Sequence, residues 1–385
     1  MIAGLIAAAG YSTRMGAFKP LLPLGGKTVL ETAIDSLRQG GIQDIRVVTG
    51  YRAEALQPVL KRSNVRNIEN QMYAAGMFSS VVAGLKSLTG EAEAFFLLPG
   101  DNPLIRRCSI KAMTRVYRKT GAAVVYPVFK GQRGHPPLIS DRCFASILSG
   151  DGVGGLRHIL AQFDAVSVEF EVADQGVLLD MDTIEDYEKL TEYYARRKIP
   201  TYAECLAMLN QHQADGRVLQ HGQTVAAVGC SLAALLNRAG VVKLDLALVA
   251  AGGLVHDLAK GKPDHPKRGE RLLACMGFSD LAGIVASHMD LEFAADTVID
   301  EAAIVFLADK LVQGDKVVTL SERFSPSLEK FSGSPEISDS VVRRMRTAET
   351  IRNKVLNLLG SSFPDGDLQE SRNKIEIFLE KLLNR

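Results

Sequence analysis

At 385 residues the chain is too long for one ordinary core, and two domains of roughly 100–200 residues each are expected. Its 46% hydrophobic and 23% charged residues exclude a disordered chain, and a net charge of +1 gives no bulk attraction to nucleic acid or to an anionic membrane, so neither is expected as a partner. The five cysteines, Cys108, Cys143, Cys205, Cys230 and Cys275, form no CxxC pair, which argues against a zinc ribbon or disulfide framework and for reduced thiols in the cytoplasm.

The apolar start, MIAGLIAAAG, lacks a basic leader and runs directly into a Gly-rich polar loop, so it reads as a buried strand rather than a signal peptide. No stretch reaches the roughly 20 apolar residues needed to cross a bilayer. Short β-branched or apolar runs predict strands at Leu5–Ala8, Ile45–Thr49, Ala94–Leu98 and Ala122–Pro127. Helical spacing predicts intervening helices near Thr28–Gln39, Ala53–Lys61, Ser79–Leu88 and Ile110–Lys119. This alternation implies an α/β unit with a mostly parallel, doubly wound sheet, in which ligands bind beyond the carboxyl ends of the strands. The loops after Ala8 and Leu98 are therefore the places for chemistry. A charged helix at Ile184–Lys198 follows, Pro200 interrupts the pattern, and from Tyr202 the chain is helical in period, which puts a boundary between 195 and 202. A Ser- and Pro-rich loop is expected over Ser325–Ser338, then amphipathic helices at Asp339–Leu359 and Leu368–Leu383 that pack on the preceding core or mediate association.

The loop after the first strand carries Gly10 and Gly16, which let the backbone turn tightly and bring N–H groups to an anion, and Arg14 and Lys19, which can neutralise a triphosphate. Asp101 follows the buried run FFLLPG and can anchor Mg²⁺, an ion that takes few protein carboxylates and completes its shell with phosphate and water. Asp101 could instead cap the following helix. Asp180 and Asp182, in LLDMDTIEDY, offer either a cap for the helix beginning at Ile184 or, with Asp182 preferred, a second metal ligand.

These residues resemble the MobA-like nucleotidyltransferases, and within them the molybdenum cofactor cytidylyltransferase branch. Ala7 to Leu24 is similar to its LAAGxSxRMGxxKxLLP signature, with Ala7 in place of Leu, Ala9 before Gly10 and Phe18 before Lys19. NQMYAAGMFSSVVAGL, LLPGDNPLI, GQRGHPPLIS, GDGVGGLRHIL and DMDTIEDY follow in the order of that branch, so the resemblance covers nearly all of 1–195. It implies a Rossmann-like, GT-A-type fold that transfers CMP from CTP, or another NTP, to a phosphorylated pterin-type acceptor carrying molybdenum, with release of pyrophosphate. It further implies nucleotide binding by Ala8, Ala9, Gly10, Ser12, Arg14, Gly16, Lys19 and Ser80, with Ser79 a further candidate, and catalysis by Arg14, Lys19 and Asp101 with Mg²⁺. Arg133 and His135 are acceptor-side candidates, and the resemblance implies a molybdoenzyme or its chaperone as recipient of the product. A sugar phosphate acceptor, or a nucleotide-binding module without turnover, is the competing reading.

In the second half, His221, the pair His256–Asp257, His265, His288 and Asp309 fall in a telling order. Imidazole with carboxylate suits a divalent first-row metal, and Asp309, at the end of the apolar run IVFLADK, is costly to bury unless paired or metal-bound. The order H…HD…D resembles the HD phosphohydrolase superfamily over about 203–325. Lys260, His265 and His288 resemble the additions that support a second metal. The resemblance implies an all-α domain holding one or two ions such as Mn²⁺, Fe²⁺ or Ni²⁺ and hydrolysing a phosphoester. A metal-bearing sensor without turnover is the alternative, and 339–385 forms a helical tail.

Overall fold

Ala7 at the end of the first strand pairs with Val48 on one side and Pro99 on the other, and this register brings three strand ends level. In the computed structural model, which describes residues 1–12, 15–360 and 375–384, the chain divides into two compact units, Met1–Arg197 and Lys198–Arg385. The strands of the first unit are β1 (Ile2–Ala7), the hairpin β2 (Pro23–Leu24) and β3 (Lys27–Thr28), β4 (Ile45–Thr49), β5 (Arg66–Glu69), β6 (Ala94–Pro99), β7 (Val124–Phe129), β8 (Gln132–Arg133), β9 (Leu138–Ser140) and β10 (Val168–Glu171). Its helices are α1 (Val29–Gln39), α2 (Ala53–Ser63), α3 (Met77–Leu88), α4 (Arg107–Thr120), α5 (Phe144–Ser149), α6 (Gly155–Ala161) and α7 (Ile184–Arg196).

The main sheet runs β10-β7-β9-β6-β1-β4-β5, with β8 paired to β7. The expected strands at its centre are present, and β1, β4, β5 and β6 run parallel. β9 is antiparallel to both β6 and β7, a break in the parallel order that short, fully buried Leu138–Ser140 does not announce. β1, β4 and β6 are buried almost throughout because helices cover both faces, which is why they read as continuous apolar runs. α1 begins on a capping box: Thr28 accepts from the Glu31 amide, and Glu31 accepts from the Thr28 amide at 2.8 Å.

Among its described residues the second unit is helical apart from the small hairpin β11 (Val312–Gln313) and β12 (Lys316–Val317). Its helices are α8 (Tyr202–Gln211), α9 (Gly216–Arg238), α10 (Leu246–Val255), α11 (His265–Met276), α12 (Ser279–Ser287), α13 (Glu301–Lys310), α14 (Leu320–Lys330), α15 (Pro335–Leu359) and α16 (Ile375–Leu383). α10 is buried from Val249 to Val255 and α13 from Ala303 to Lys310, so both lie inside the bundle with α9, α12 and α15 around them. α16 packs on α9 and α10.

The expected loop over Ser325–Ser338 is largely helix. Pro326 lies inside α14, and Pro335 opens α15 at a position where its missing N–H has no intrahelical partner to lose. Of the helix expected at Leu368–Leu383, the part from Ile375 is present, and 368–374 fall outside the described residues. No helix among the described residues is long and apolar enough to cross a membrane.

Candidate active sites

The loop leaving β1 and the turn leaving β6 emerge side by side. The Ala8 amide donates to Val48 O at 2.9 Å and the Tyr51 amide donates to Ala9 O at 3.2 Å, pinning the start of the loop to the end of β4. Gly16 takes φ +64°, which an L side chain resists, and Ser12 turns the chain at φ +56°. Gly10 has no such requirement, since an added Cβ would meet open space. Ser12 Oγ accepts from the Lys19 amide at 3.3 Å. Arg14 lies outside the described residues.

Lys19 opens a short 3₁₀ turn, and its Nζ reaches Asp101 Oδ2 at 3.1 Å and Asp182 Oδ1 at 2.8 Å. Three residues spaced across the whole unit thus meet at one point. Burial works against the lysine's charge, but Asp182 and Asp101 outweigh it and raise its pKa above the ordinary 10.5. Two carboxylates held by one cation are a donor set that a divalent ion would also satisfy.

Neither carboxylate is consumed by capping. Thr183 caps α7 in a box with Asp186, and the start of α4 is served by Asp174, which accepts from the Arg106 amide at 2.8 Å and from Ser109 Oγ at 2.7 Å. Asn102 Nδ2 donates to Leu179 O at 2.7 Å and ties the turn bearing Asp101 to the irregular segment, after the 3₁₀ turn Gln175–Leu178, that delivers Asp180 and Asp182. Gly176 lies so close to Leu104 that an added Cβ would fall 1.9 Å from its carbonyl oxygen. Asp174 and Asn102 were not singled out in the sequence; an Asn directly after the acidic residue was the available signal. Partial burial and the charges of Asp101 and Asp182 push Asp180 above the usual carboxylate range.

His135 joins this group electrostatically. The surrounding protein pushes its pKa down by desolvation, against the pull of Asp101 and Asp180, so the imidazole is neutral near neutral pH. Arg133 is not part of it. Its guanidinium stacks 4.2 Å over Tyr126 and pairs with Glu169 at 2.6 Å and Asp164 at 3.1 Å. Ser79 and Ser80 both accept from Asn70 Nδ2, at 2.9 and 3.0 Å, and Ser80 is buried. An aromatic group that the sequence reading passed over, Tyr11 with Tyr51 and Tyr73 at 5.1 and 5.4 Å between ring centres, flanks the same loop.

In the helical unit, His221 from α9, His256 and Asp257 beyond α10, His265 from α11, His288 beyond α12 and Asp309 from α13 converge. The ligand atoms of His221, His256 and Asp257 lie within 4.8 Å of one another, and so do those of Asp257, His265 and His288. Asp257 belongs to both groups. Asp309 Oδ1 is 3.1 Å from His221 Nε2 and 3.5 Å from His256 Nε2.

Backbone carbonyls orient three of the rings. His221 Nδ1 meets Gly314 O at 2.8 Å, His256 Nδ1 meets Gly253 O at 2.8 Å and His288 Nδ1 meets Val285 O at 2.7 Å. A carbonyl only accepts, so each Nδ1 carries hydrogen and each Nε2 is turned toward the shared centre. His256 Nε2 is buried with no hydrogen-bond partner. Such an orphan, beside two buried carboxylates, fits a metal ligand. Burial opposes charge on His256, yet attraction to Asp257 and Asp309 pushes its pKa up to about 10, so the carboxylates demand a cation at this point. Lys310, buried beside Asp309, pairs with it at 2.6 Å and donates to His288 O at 2.8 Å. The adjacent Asp-Lys pair in a buried helix was its sequence signal.

Together these features define a protein of the nucleotidyltransferase class with an appended His/Asp helical module. The MobA-like NTP transferase domain matches residues 4–166, and the HD domain matches residues 218–313. The molybdenum cofactor cytidylyltransferase of Escherichia coli (strain K12) is 34% identical over 191 residues, covering 49% of this chain and 95% of that protein. The bifunctional protein GlmU of Geotalea uraniireducens (strain Rf4) is 27% identical over 177 residues, 45% of this chain but only 36% of GlmU. A solved nucleotidyl transferase from Methanothermobacter thermautotroptrophicus is 22% identical with a TM-score of 0.45, covering 51% of this chain and 99% of that one. The chain belongs to the MobA-like NTP transferase family through its N-terminal unit and carries a C-terminal HD domain.

Proposed function

We propose that the N-terminal unit transfers CMP from CTP to a phosphorylated acceptor, molybdopterin-bound molybdenum cofactor, and releases pyrophosphate. The meeting of Lys19, Asp101 and Asp182 beside the loop after β1 carries this reading, and the similarity to the Escherichia coli cytidylyltransferase supports the choice of substrates. An oxygen of the acceptor's terminal phosphate bonds to the α-phosphorus of CTP as the bond to the bridging oxygen of the β-phosphate breaks, and pyrophosphate leaves with that oxygen. No covalent enzyme intermediate is needed, so positioning and charge neutralisation are the whole task.

Asp101 and Asp182 would hold Mg²⁺, which supplies positive charge across the phosphates. Lys19, its charge secured at neutral pH, would neutralise phosphate oxygens together with Arg14. Ala8, Ala9, Gly10, Ser12 and Gly16 form the nucleotide loop, with Ser80 behind it. Neutral His135 faces the acceptor side, and Arg133 would serve there by exchanging Asp164 and Glu169 for an acceptor anion. A sugar phosphate acceptor is the second reading, since a phosphate loop and two carboxylates would serve either acceptor.

The HD unit is proposed as a metal-dependent phosphohydrolase. His221, His256, Asp257 and Asp309 would hold one divalent ion, and Asp257, His265 and His288 a second. Such ions polarise a phosphoester and generate hydroxide near neutral pH. The cytoplasm, where CTP is abundant, is the proposed location. The test is product analysis with each of the four NTPs, Mg²⁺ and either molybdopterin-bound molybdenum or a sugar 1-phosphate. The cytosine dinucleotide cofactor should form from CTP alone; a nucleoside diphosphate sugar would transfer the assignment to the second reading. For the HD unit, metal analysis and turnover of a generic phosphoester with Mn²⁺ decide, and a metal-free, inert protein would remove the hydrolase reading.

A further inference from the structure

The His/Asp centre lies in the wall of a cavity of about 660 Å³ that extends well past the proposed metal ligands. The turn between α8 and α9, from His212 to Asp215, lines one side, and Gln313, Gly314 and Arg323 line another. The charges on this lining fall into pairs. Lys260 reaches Asp257 at 2.5 Å, and Arg217 reaches Asp215 at 3.0 Å while Asp215 also caps α9. Asp309 is held by Lys310 and His221.

Arg323 is the exception. It stands on α14, an element that carries none of the proposed metal ligands, and its Nε is buried without a hydrogen-bond partner. Among the described residues it makes no ion pair with a carboxylate. A guanidinium keeps its charge at any physiological pH, and a buried donor without a partner is costly unless a ligand completes it. An anion in the cavity would complete it, and the planar donor fork suits phosphate.

We infer that the cavity holds a second anion subsite built on Arg323, so that the HD unit selects phosphoesters bearing a further phosphate in addition to the one placed at the His/Asp centre. This rests on the phosphohydrolase reading for the first phosphate; the subsite itself rests on Arg323 and the cavity. A 660 Å³ space has room for a bisphosphorylated small molecule, and a second phosphate within it would complete the Arg323 donor. Arg323 lies outside the segment matched by the HD domain, residues 218–313. It acts here as a specificity-determining residue and takes no part in bond breaking.

The matched ligands propylphosphonate and 1,3-propylenebisphosphonate, neither hydrolysable, test this by titration calorimetry on the full Mn²⁺-loaded chain. The wild-type protein is expected to prefer the bisphosphonate by at least about tenfold. Arg323→Gln and Arg323→Met should weaken the bisphosphonate by roughly 10- to 100-fold while leaving propylphosphonate affinity, bound Mn²⁺ and Tm unchanged, and Arg323→Lys should retain part of the preference. Equal affinities in the wild-type protein, or equal losses for both ligands in the variants, would overturn the subsite. Turnover of p-nitrophenyl phosphate is measured in parallel. An Arg323-dependent preference without turnover sinks the hydrolase reading and keeps the subsite, whereas turnover without preference sinks the subsite alone.

Discussion

Lys19 carries a positive charge into the space between two carboxylates, and burial would oppose that charge if they were absent. The transfer chemistry proposed for the site needs that charge on the phosphates. Lys19→Met is therefore expected to lower kcat for CMP transfer by roughly 10²–10³-fold, by analogy with the loss of one preorganised donor, and steady-state kinetics with saturating CTP reads it directly. A variant within threefold of wild type would show that the lysine serves packing alone. In the other unit, His256 is held by Gly253 O with Nε2 presented to the centre. His256→Ala should lower the metal content by the ion that His221, His256, Asp257 and Asp309 would hold, as scored by elemental analysis after dialysis, and an unchanged content in that variant would contradict the ligand assignment. These side chains were legible in the sequence because each chemistry demands particular residue types. What was not legible was how they are oriented. The carbonyls of Gly253, Val285 and Gly314 belong to the backbone, and no side-chain pattern announces them. Nor did residue type show that Arg133 would be claimed by Glu169 and Asp164.

Two elements set the geometry of these residues. α9 and α10 approach closely at glycines that flank the site: a Cβ on Gly253 would lie 2.4 Å from Ala226 Cα, and one on Gly222 would lie 2.6 Å from Leu254 O. Both clashes are with backbone, which cannot swing aside. Gly253→Ala is thus expected to separate the helices bearing His221 and His256, destabilising the unit by roughly 1–3 kcal/mol and weakening metal affinity together with Tm. Unchanged metal affinity in that variant would show that the helix crossing does not set the ligand geometry. At the start of α1, Thr28 and Glu31 form the capping box beside the hairpin that follows the phosphate loop. Burial opposes the Glu31 charge, but the Thr28 amide and hydroxyl and then Arg62 outweigh it and lower the pKa below the ordinary 4.5. A depressed carboxyl contributes stability that is present above its unfolded pKa and is lost as pH falls through the folded value. Thr28→Ala should cost about 1 kcal/mol at pH 7, and the gap from wild type should shrink in denaturant titrations taken well below pH 4.5. A gap that stays constant into acid would exclude the Glu31 contribution.

The central strands and their helices were readable because a sheet covered on both faces writes apolar runs separated by helical spacing. β5 and β10 were not: β5, Arg66–Glu69, is largely exposed, and β10, Val168–Glu171, is only half-buried. β9 is three residues long and antiparallel, so neither length nor alternation marks it. Pro326 and Pro335 misled in the opposite sense, since proline is a weaker stop signal at an N1 position or where surrounding contacts hold the turn.

At the scale of the whole molecule, the two centres share no residue and stand on separate compact units. Their chemistries are proposed to be independent at the catalytic step: Asp101→Ala should leave phosphoester hydrolysis within experimental error of wild type, and His256→Ala should leave CMP transfer likewise unaltered. Loss of both activities in either single variant, with Tm unchanged, would instead reveal coupling between the units. The N-terminal reading depends most on Asp101, the carboxylate that closes β6. Its direct test is pyrophosphate release from CTP with Mg²⁺ and molybdopterin-bound molybdenum, comparing wild type with Asp101→Ala at matched Tm. One pyrophosphate per dinucleotide formed is expected from the wild-type protein and none above background from the variant; pyrophosphate release at the wild-type rate from Asp101→Ala would contradict the role of this carboxylate.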